Sequence, residues 1–197
     1  MRNASSIRAV DPGRRRLLRW LAAGPAVLAL GMREQLAHAG QVLEDEVLAP
    51  RALSMVSTHT GEHLEVRYFE GGRYLPDALS RLNRVLRDHR SGDISPIDPR
   101  LFDQLHALAR CAACAPHYEI ISGYRSPATN EKLRQGSSGV ASRSLHMDGR
   151  AIDVRLKGIS TARVRDLALS LKGGGVGYYQ KSDFVHLDTG RVRSWSG

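Results

Sequence analysis

The chain has 197 residues and a formal net charge of +9, from 29 Lys and Arg against 20 Asp and Glu. Hydrophobic residues are 42% and charged residues 25%, the mix of a globular protein large enough for one real core. The chain shows no repeat, no polar low-complexity tract and no run of about 18 uninterrupted apolar residues, which excludes fibrous, wholly disordered and multi-spanning membrane classes.

Residues 1–39 read as an export signal. Arg14-Arg15-Arg16-Leu17-Leu18-Arg19 leads straight into an apolar segment from Trp20 to Met32. Ala37-His38-Ala39 then offers the small residues a signal peptidase reads, which places cleavage before Gly40. The paired arginines with Leu-Leu-Arg resemble a twin-arginine (Tat) signal, which exports already folded proteins, so a periplasmic location is expected. A short amphipathic or buried helix and an uncleaved membrane anchor are the competing readings of this segment. The charge divides accordingly. Residues 1–39 carry seven Arg against Asp11 and Glu34, or +5, and residues 40–197 carry 22 basic and 18 acidic residues, or +4. Most of the surplus therefore sits in the signal. Arginines elsewhere are scattered without aromatic interleaving, so no nucleic-acid partner is expected. The mature domain, 40–197, is expected to be a soluble monomer without a transmembrane span, mildly basic as suits an anionic wall polymer.

Leu53–Thr58 and His63–Phe69 are extended runs joined through Thr60-Gly61, a hairpin. Leu64, Val66 and Tyr68 alternate with Glu65 and Arg67, so this strand buries one face, and Gly71-Gly72 breaks it. Leu75–Arg90 repeats apolar residues at Leu75, Leu79, Leu82, Val85 and Leu86, a helical stripe. Asp98-Pro99 has the form of an N-cap with proline in the first turn and opens a helix over Pro99–Ala113. Cys111 and Cys114 stand at the end of that helix, whereas a thiol redox site wants a helix N-terminus after a strand. Two thiols cannot make a four-cysteine zinc site, so a structural pair is expected, with a small disulfide and two free thiols both open as its form. His117–Ser122 is a strand, followed by the loop Tyr124–Asn130 and a helix over Asn130–Gln135. Gly136–Ser144 is small and polar and is expected to be mobile. Ala151–Leu156 is a strand, and Thr161–Leu171 is a helix capped by Ser160 or Thr161. Gly173-Gly174-Gly175 reads as a flexible turn before two last strands, Val176–Tyr179 and Phe184–Leu187. Helices early and strands late predict an α+β fold, an antiparallel sheet with flanking helices.

The chemistry concentrates in Ser144–Asp153. His146 and Asp153 flank Gly149, which permits a tight turn that returns the chain beside His146 on the Ala151–Leu156 strand. Imidazole nitrogen and carboxylate oxygen are good zinc ligands, but a catalytic zinc takes three protein ligands and keeps a fourth position open. Val185-His186-Leu187-Asp188 supplies a third, with His186 and Asp188 on one strand face. A His–Asp pair serves as readily as a plain hydrogen-bonded pair, and spacing alone leaves both readings open.

At these residues the chain resembles a family. Ser144-x-His146-x-x-Gly149-x-Ala151-x-Asp153, with the later His186-x-Asp188, is similar to the M15 or LAS-type metallopeptidases. It is closer still to the murein endopeptidase K (DUF882) group. Four blocks match in order: Ser122–Asn130, the His/Asp block, Gly175–Tyr179, and Phe184–Trp195. The likeness covers most of residues 50–197. It implies a LAS/hedgehog-like zinc peptidase core, one Zn2+ held by His146, Asp153 and His186, and hydrolysis of the peptide cross-links of peptidoglycan. It places Arg125 on an arginine that faces the substrate, where a planar fork of donors suits a carboxylate or an oxyanion. A structural salt bridge is the other reading of Arg125.

A base must take the proton of the attacking water. Some relatives carry Glu three residues before the last histidine ligand, and Asp183 stands there in this chain. Asp188 is the other candidate, as base or as the group that orients a ligand. Asp148, beside the turn, is a third. His59, His63, His89, His106 and His117 have no comparable partners. Gly136–Ser144 and Gly173–Gly175 would flank the substrate groove. A non-catalytic zinc-containing peptidoglycan-binding module and a D,D- or L,D-carboxypeptidase of the same fold are the alternative functions.

Overall fold

A computed structural model describes residues 47–136 and 141–197. The expected export signal lies outside the described residues, as does 137–140 of the expected mobile loop. Residues 49–197 form one compact unit built on a single sheet.

Strands β1 (Arg51–Ser57) and β2 (His63–Glu70) make the expected hairpin. Gly71 and Gly72 both have positive φ, and they turn β2 into β3 (Arg73–Tyr74) rather than merely ending it. The others are β4 (His117–Ser122), β5 (Ala151–Leu156), β6 (Gly175–Tyr179), β7 (Phe184–Asp188) and β8 (Arg193–Ser196). Their order is β3-β2-β1-β4-β5-β7-β6-β8. Pairing is antiparallel except for β1 with β4 and β6 with β8. The expected α+β class holds, and the sheet is mostly rather than wholly antiparallel. The two parallel joints arise because long connections return the chain in its starting direction. Strands β3 and β8 have two and four residues, too short for an alternating pattern to mark them.

Among the described residues four helices flank the sheet: α1 (Pro76–Val85), α2 (Pro99–Cys111), α3 (Pro127–Gly136) and α4 (Thr161–Leu171). Helix α1 packs on β2, α2 on β1 and α4, and α4 on β6 and β7. Tyr68, Phe102, Leu101, Leu105, Leu108 and Tyr118 are fully buried between these layers. No helix among the described residues is long and apolar enough to cross a membrane.

Helix α1 stops short of the expected Arg90 because Asp88 must turn inward. Its buried carboxylate accepts hydrogen bonds from Arg90 N (2.9 Å), Ser126 N (2.9 Å) and Ser126 Oγ (2.8 Å). Those donors are reachable only off the helix, and a buried carboxylate without them would be costly. Helix α3 starts three residues earlier than expected. Ser126 Oγ accepts from Thr129 N and caps it, with Pro127 in the first turn. Asp98 caps α2 as expected, accepting from Arg100 N. Cys111 and Cys114 are free thiols, so of the two open forms of the pair the structure has the unbridged one. Ala113 takes a left-handed φ of 51°, Cys111 faces solvent and Cys114 packs against the core.

Three glycines set the site. Gly149 has φ +64° and is buried under the loop before α2, where a methyl group would collide with the Pro96 carbonyl. The expected flexible turn at Gly173–Gly175 is instead a close approach. A side chain on Gly174 or Gly175 would overlap the backbone or carboxylate of Asp188. Gly149→Ala is expected to cost about 3 kcal/mol or more, a fall of roughly 10 °C in Tm. Gly61→Ala, also at positive φ but with open space around it, should cost about 1 kcal/mol. Thermal melts of both variants check the difference.

Candidate metal centre

His146 lies on a 3-10 turn (Leu145–Asp148) whose N-cap is Ser144. Asp153 is on β5 and His186 on β7, directly opposite each other in the antiparallel register. The Gly149 turn carries the chain from His146 into β5. All three side chains are buried. His146 Nε2 is 3.2 Å from His186 Nδ1, His186 Nδ1 is 2.9 Å from Asp153 Oδ1, and His146 Nε2 is 3.3 Å from Asp153 Oδ1. Among the described residues this is the one His/Cys/Asp/Glu group with metal-ligand spacing.

The outer nitrogens decide what the inner ones present. His146 Nδ1 lies 2.7 Å from the Gly123 carbonyl, and His186 Nε2 lies 3.2 Å from Asp188 Oδ2. A carbonyl and a carboxylate only accept, so these nitrogens carry the protons. His146 Nε2 and His186 Nδ1 then direct lone pairs at each other and at Asp153. Three such atoms in a buried space repel unless positive charge sits among them. Tetrahedral zinc, with ligands at about 2.0–2.1 Å, holds its ligand atoms about 3.3 Å apart, so the donor set fits that ion. The electrostatics agree. Burial opposes charge on His186, but hydrogen bonds and charges from Asp153 and Asp188 prevail and push it up to about 9. Burial likewise opposes the Asp153 carboxylate, yet His146 and His186 hold it well below the usual range.

Asp188 is fully buried and saturated. Besides His186 it accepts from Arg193 Nη2 (2.6 Å) and Nη1 (3.1 Å), Gly175 N (2.9 Å) and Gly190 N (2.8 Å). Burial raises its pKa, and these donors more than reverse that. Asp183 is elsewhere. It accepts from Thr161 Oγ1 (2.8 Å), pairs with Arg155 (3.2 Å), and does not line the cavity over the ligand group. Asp148 is exposed and also absent from that lining.

The cavity has a volume of about 470 Å³. Arg125 lines it, with its Nε buried and without a hydrogen-bond partner. Its Nη1 reaches only Asn130 Oδ1 at 3.4 Å, and it forms no ion pair among the described residues. Burial lowers its pKa, partly countered by Asp153. The structural salt-bridge reading therefore has no partner among the described residues. Residues not singled out from the sequence complete the walls. Tyr179 and Phe184 stack at 4.6 Å, and Trp195 leans on His186 at 5.1 Å while its Nε1 donates to Tyr179 Oη at 3.0 Å. Arg193, which braces Asp188, and Arg143 line the same space. Their signal was their place in or beside the matched blocks, without any spacing rule to give them a role.

A buried His/Asp/His donor set at a cavity floor is the arrangement of metal-dependent hydrolases. The family is equally definite. The profile Peptidase_M15_2, described as peptidoglycan L,D-endopeptidase MepK, matches residues 45–195, and the chain belongs to this family. It is 45% identical over 146 residues to peptidoglycan L,D-endopeptidase MepK of Escherichia coli K12, covering 74% of this chain and 80% of the relative. The Shigella flexneri MepK matches with the same identity and coverage. The probable peptidoglycan L,D-endopeptidase MepK of Haemophilus influenzae is 36% identical over 195 residues, 95% of this chain and 98% of that one. No solved structure matches the chain.

Two outcomes follow from the charge balance. A raised His186 pKa gives stability that is full below about 6.5 and is lost as pH rises through about 9. Metal-free protein should therefore show a falling Tm between pH 7 and 10, a decline that saturating zinc removes. Asp188→Asn turns an NH2 group toward donors and is expected to weaken metal affinity about 10- to 100-fold, read by chelator competition.

Proposed function

We propose that this chain is a zinc-dependent murein endopeptidase that cuts peptide cross-links of peptidoglycan. The core is of the LAS/hedgehog-like zinc peptidase type. The protein acts as a monomer in the periplasm, reached on a Tat-type signal at residues 1–39, with 40–197 as the mature domain. The observation that carries this reading is the convergence of three lone-pair atoms, from His146, Asp153 and His186, on the floor of a cavity. The names of the relatives support the substrate, and their L,D-endopeptidase label favours bonds between an L and a D centre.

A bound zinc ion supplies Lewis-acid activation of water and of the substrate carbonyl. The remaining work falls to the chain's own groups. The Gly123 carbonyl and the Asp188 carboxylate keep protons on His146 Nδ1 and His186 Nε2, so both inner nitrogens stay available. Arg193 and two backbone amides keep Asp188 ionised and still. Arg125, on the cavity wall, offers its guanidinium charge to the carbonyl oxygen as that atom gains charge. Trp195, Tyr179 and Phe184 form a rigid wall for the peptide stem.

The two carboxylates weighed as base separate here. Asp188 acts by holding His186, since using it as a base would mean giving up Arg193 and two amides. Asp183 reaches the reacting water only on leaving Thr161 and Arg155. A second reading, a wall-binding module that keeps the metal set without cutting, is favoured by one fact. Apart from Asp153, no carboxylate among the described residues lines the cavity.

Muropeptide analysis of sacculi incubated with zinc-loaded protein separates these readings. Cross-link cleavage that a chelator stops is expected, whereas binding without products would establish the module. His146→Ala should lose both zinc and product release, and an active, metal-free variant would overturn the reading. Asp183→Asn is expected to keep kcat within about threefold of the parent. A loss of about 100-fold or more would make Asp183 the base.

A further inference from the structure

The cavity is far more positive than a neutral amide substrate requires. Arg125, Arg143 and Arg193 line it, and Asp153 is its one acidic side chain among the described residues. Asp153 already faces two imidazoles. A divalent cation on the ligand group would add two further charges. Such a space attracts anions and resists uncharged ligands.

The three arginines are not equivalent. Arg193 is bonded twice to Asp188 and lies over the Trp195 ring at 4.8 Å, so its charge is answered. Arg125 is half-buried beside the ligand group, its backbone N 3.1 Å from the His146 carbonyl, which suits it to the reacting carbonyl. Arg143 is exposed at the mouth and has no hydrogen bond or ion pair with any described residue. It stands next to Ser144, the N-cap of the turn that carries His146, so its backbone is anchored three residues from a ligand.

We propose that Arg143 is a specificity-determining residue. It receives a free carboxylate of the peptide stem next to the scissile amide, through the paired donors of its guanidinium. This rests on the endopeptidase reading for the identity of the substrate, but the charge recognition does not depend on cleavage. The cavity thereby prefers a stem whose carboxylate is free over one in which it is amidated. Arg143 lies at the rim, so the preference weakens as salt rises.

The test uses two synthetic cross-linked peptides that differ only in that carboxylate, free or amidated. Binding is measured by calorimetry on the metal-free protein, and cleavage on the zinc-loaded protein. The parent should bind the free acid about fivefold or more tightly than the amide. Arg143→Ala should bring the two affinities together and raise KM for the free acid with little change in kcat. Arg143→Lys should restore part of the preference. Zinc affinity by chelator competition should be unchanged in both variants. A parent without preference, or an Arg143→Ala variant that retains it, overturns the proposal. Binding preference without cleavage would sustain it and remove the endopeptidase reading instead.

Discussion

Three atoms with lone pairs meet in a buried space, and everything around them serves that meeting. His146 Nε2, His186 Nδ1 and Asp153 Oδ1 lie about as far apart as the edges of a small coordination tetrahedron. Alone they repel. A buried cluster of this kind is stable only with a cation, either a proton or a metal ion, among its members. The requirement is set by tautomers, and the tautomers are set by acceptors outside the cluster. One is a backbone carbonyl at Gly123 and the other is the carboxylate of Asp188.

The scaffold holds these parts at fixed distances by backbone means. Strands β5 and β7 bring Asp153 opposite His186, and a slip of one residue would turn both side chains to the other face. The left-handed turn at Gly149 delivers His146 from the loop side, and its carbonyl accepts from Asp98 N at the cap of α2. Gly174 and Gly175 let the chain pass against Asp188 closely enough for the Gly175 amide to bond it. Asp88 does comparable work on the other wall. By holding Ser126 through backbone and hydroxyl it fixes the loop that presents Arg125. The cavity is thus framed by two buried carboxylates that never enter it, each saturated by donors.

Several of these features were legible in the sequence because they are local. The β1–β2 alternation, the Asp98-Pro99 cap and the His146-x-x-Gly149 turn each follow from residues within a few positions of one another. The ordered blocks that resemble murein endopeptidases made the family readable, and their positions named the three residues that the fold brings together. Features that depend on remote partners were not legible. Helix α1 ends early because Ser126, 38 residues away, needs Asp88. The glycine run at 173–175 reads as loose until Asp188 is packed against it. Asp183 and Asp188 look equivalent as carboxylates near His186, and only the pairing of β5, β6 and β7 sends one outward and buries the other.

The sequence by itself determined the class of fold, the family and the three donor residues. Their chemical types, order and turn glycine are properties of the chain. Tertiary structure alone decided which nitrogen of each imidazole faces inward, which carboxylate braces His186, and which arginine of the cavity wall has no partner among the described residues. Those choices depend on atoms 23, 28 or 33 residues apart coming within hydrogen-bond reach, for His146 with Gly123, Arg155 with Asp183, and Asp153 with His186. A hydrogen bond is directional over about 3 Å, so no pattern along the chain can fix its partner.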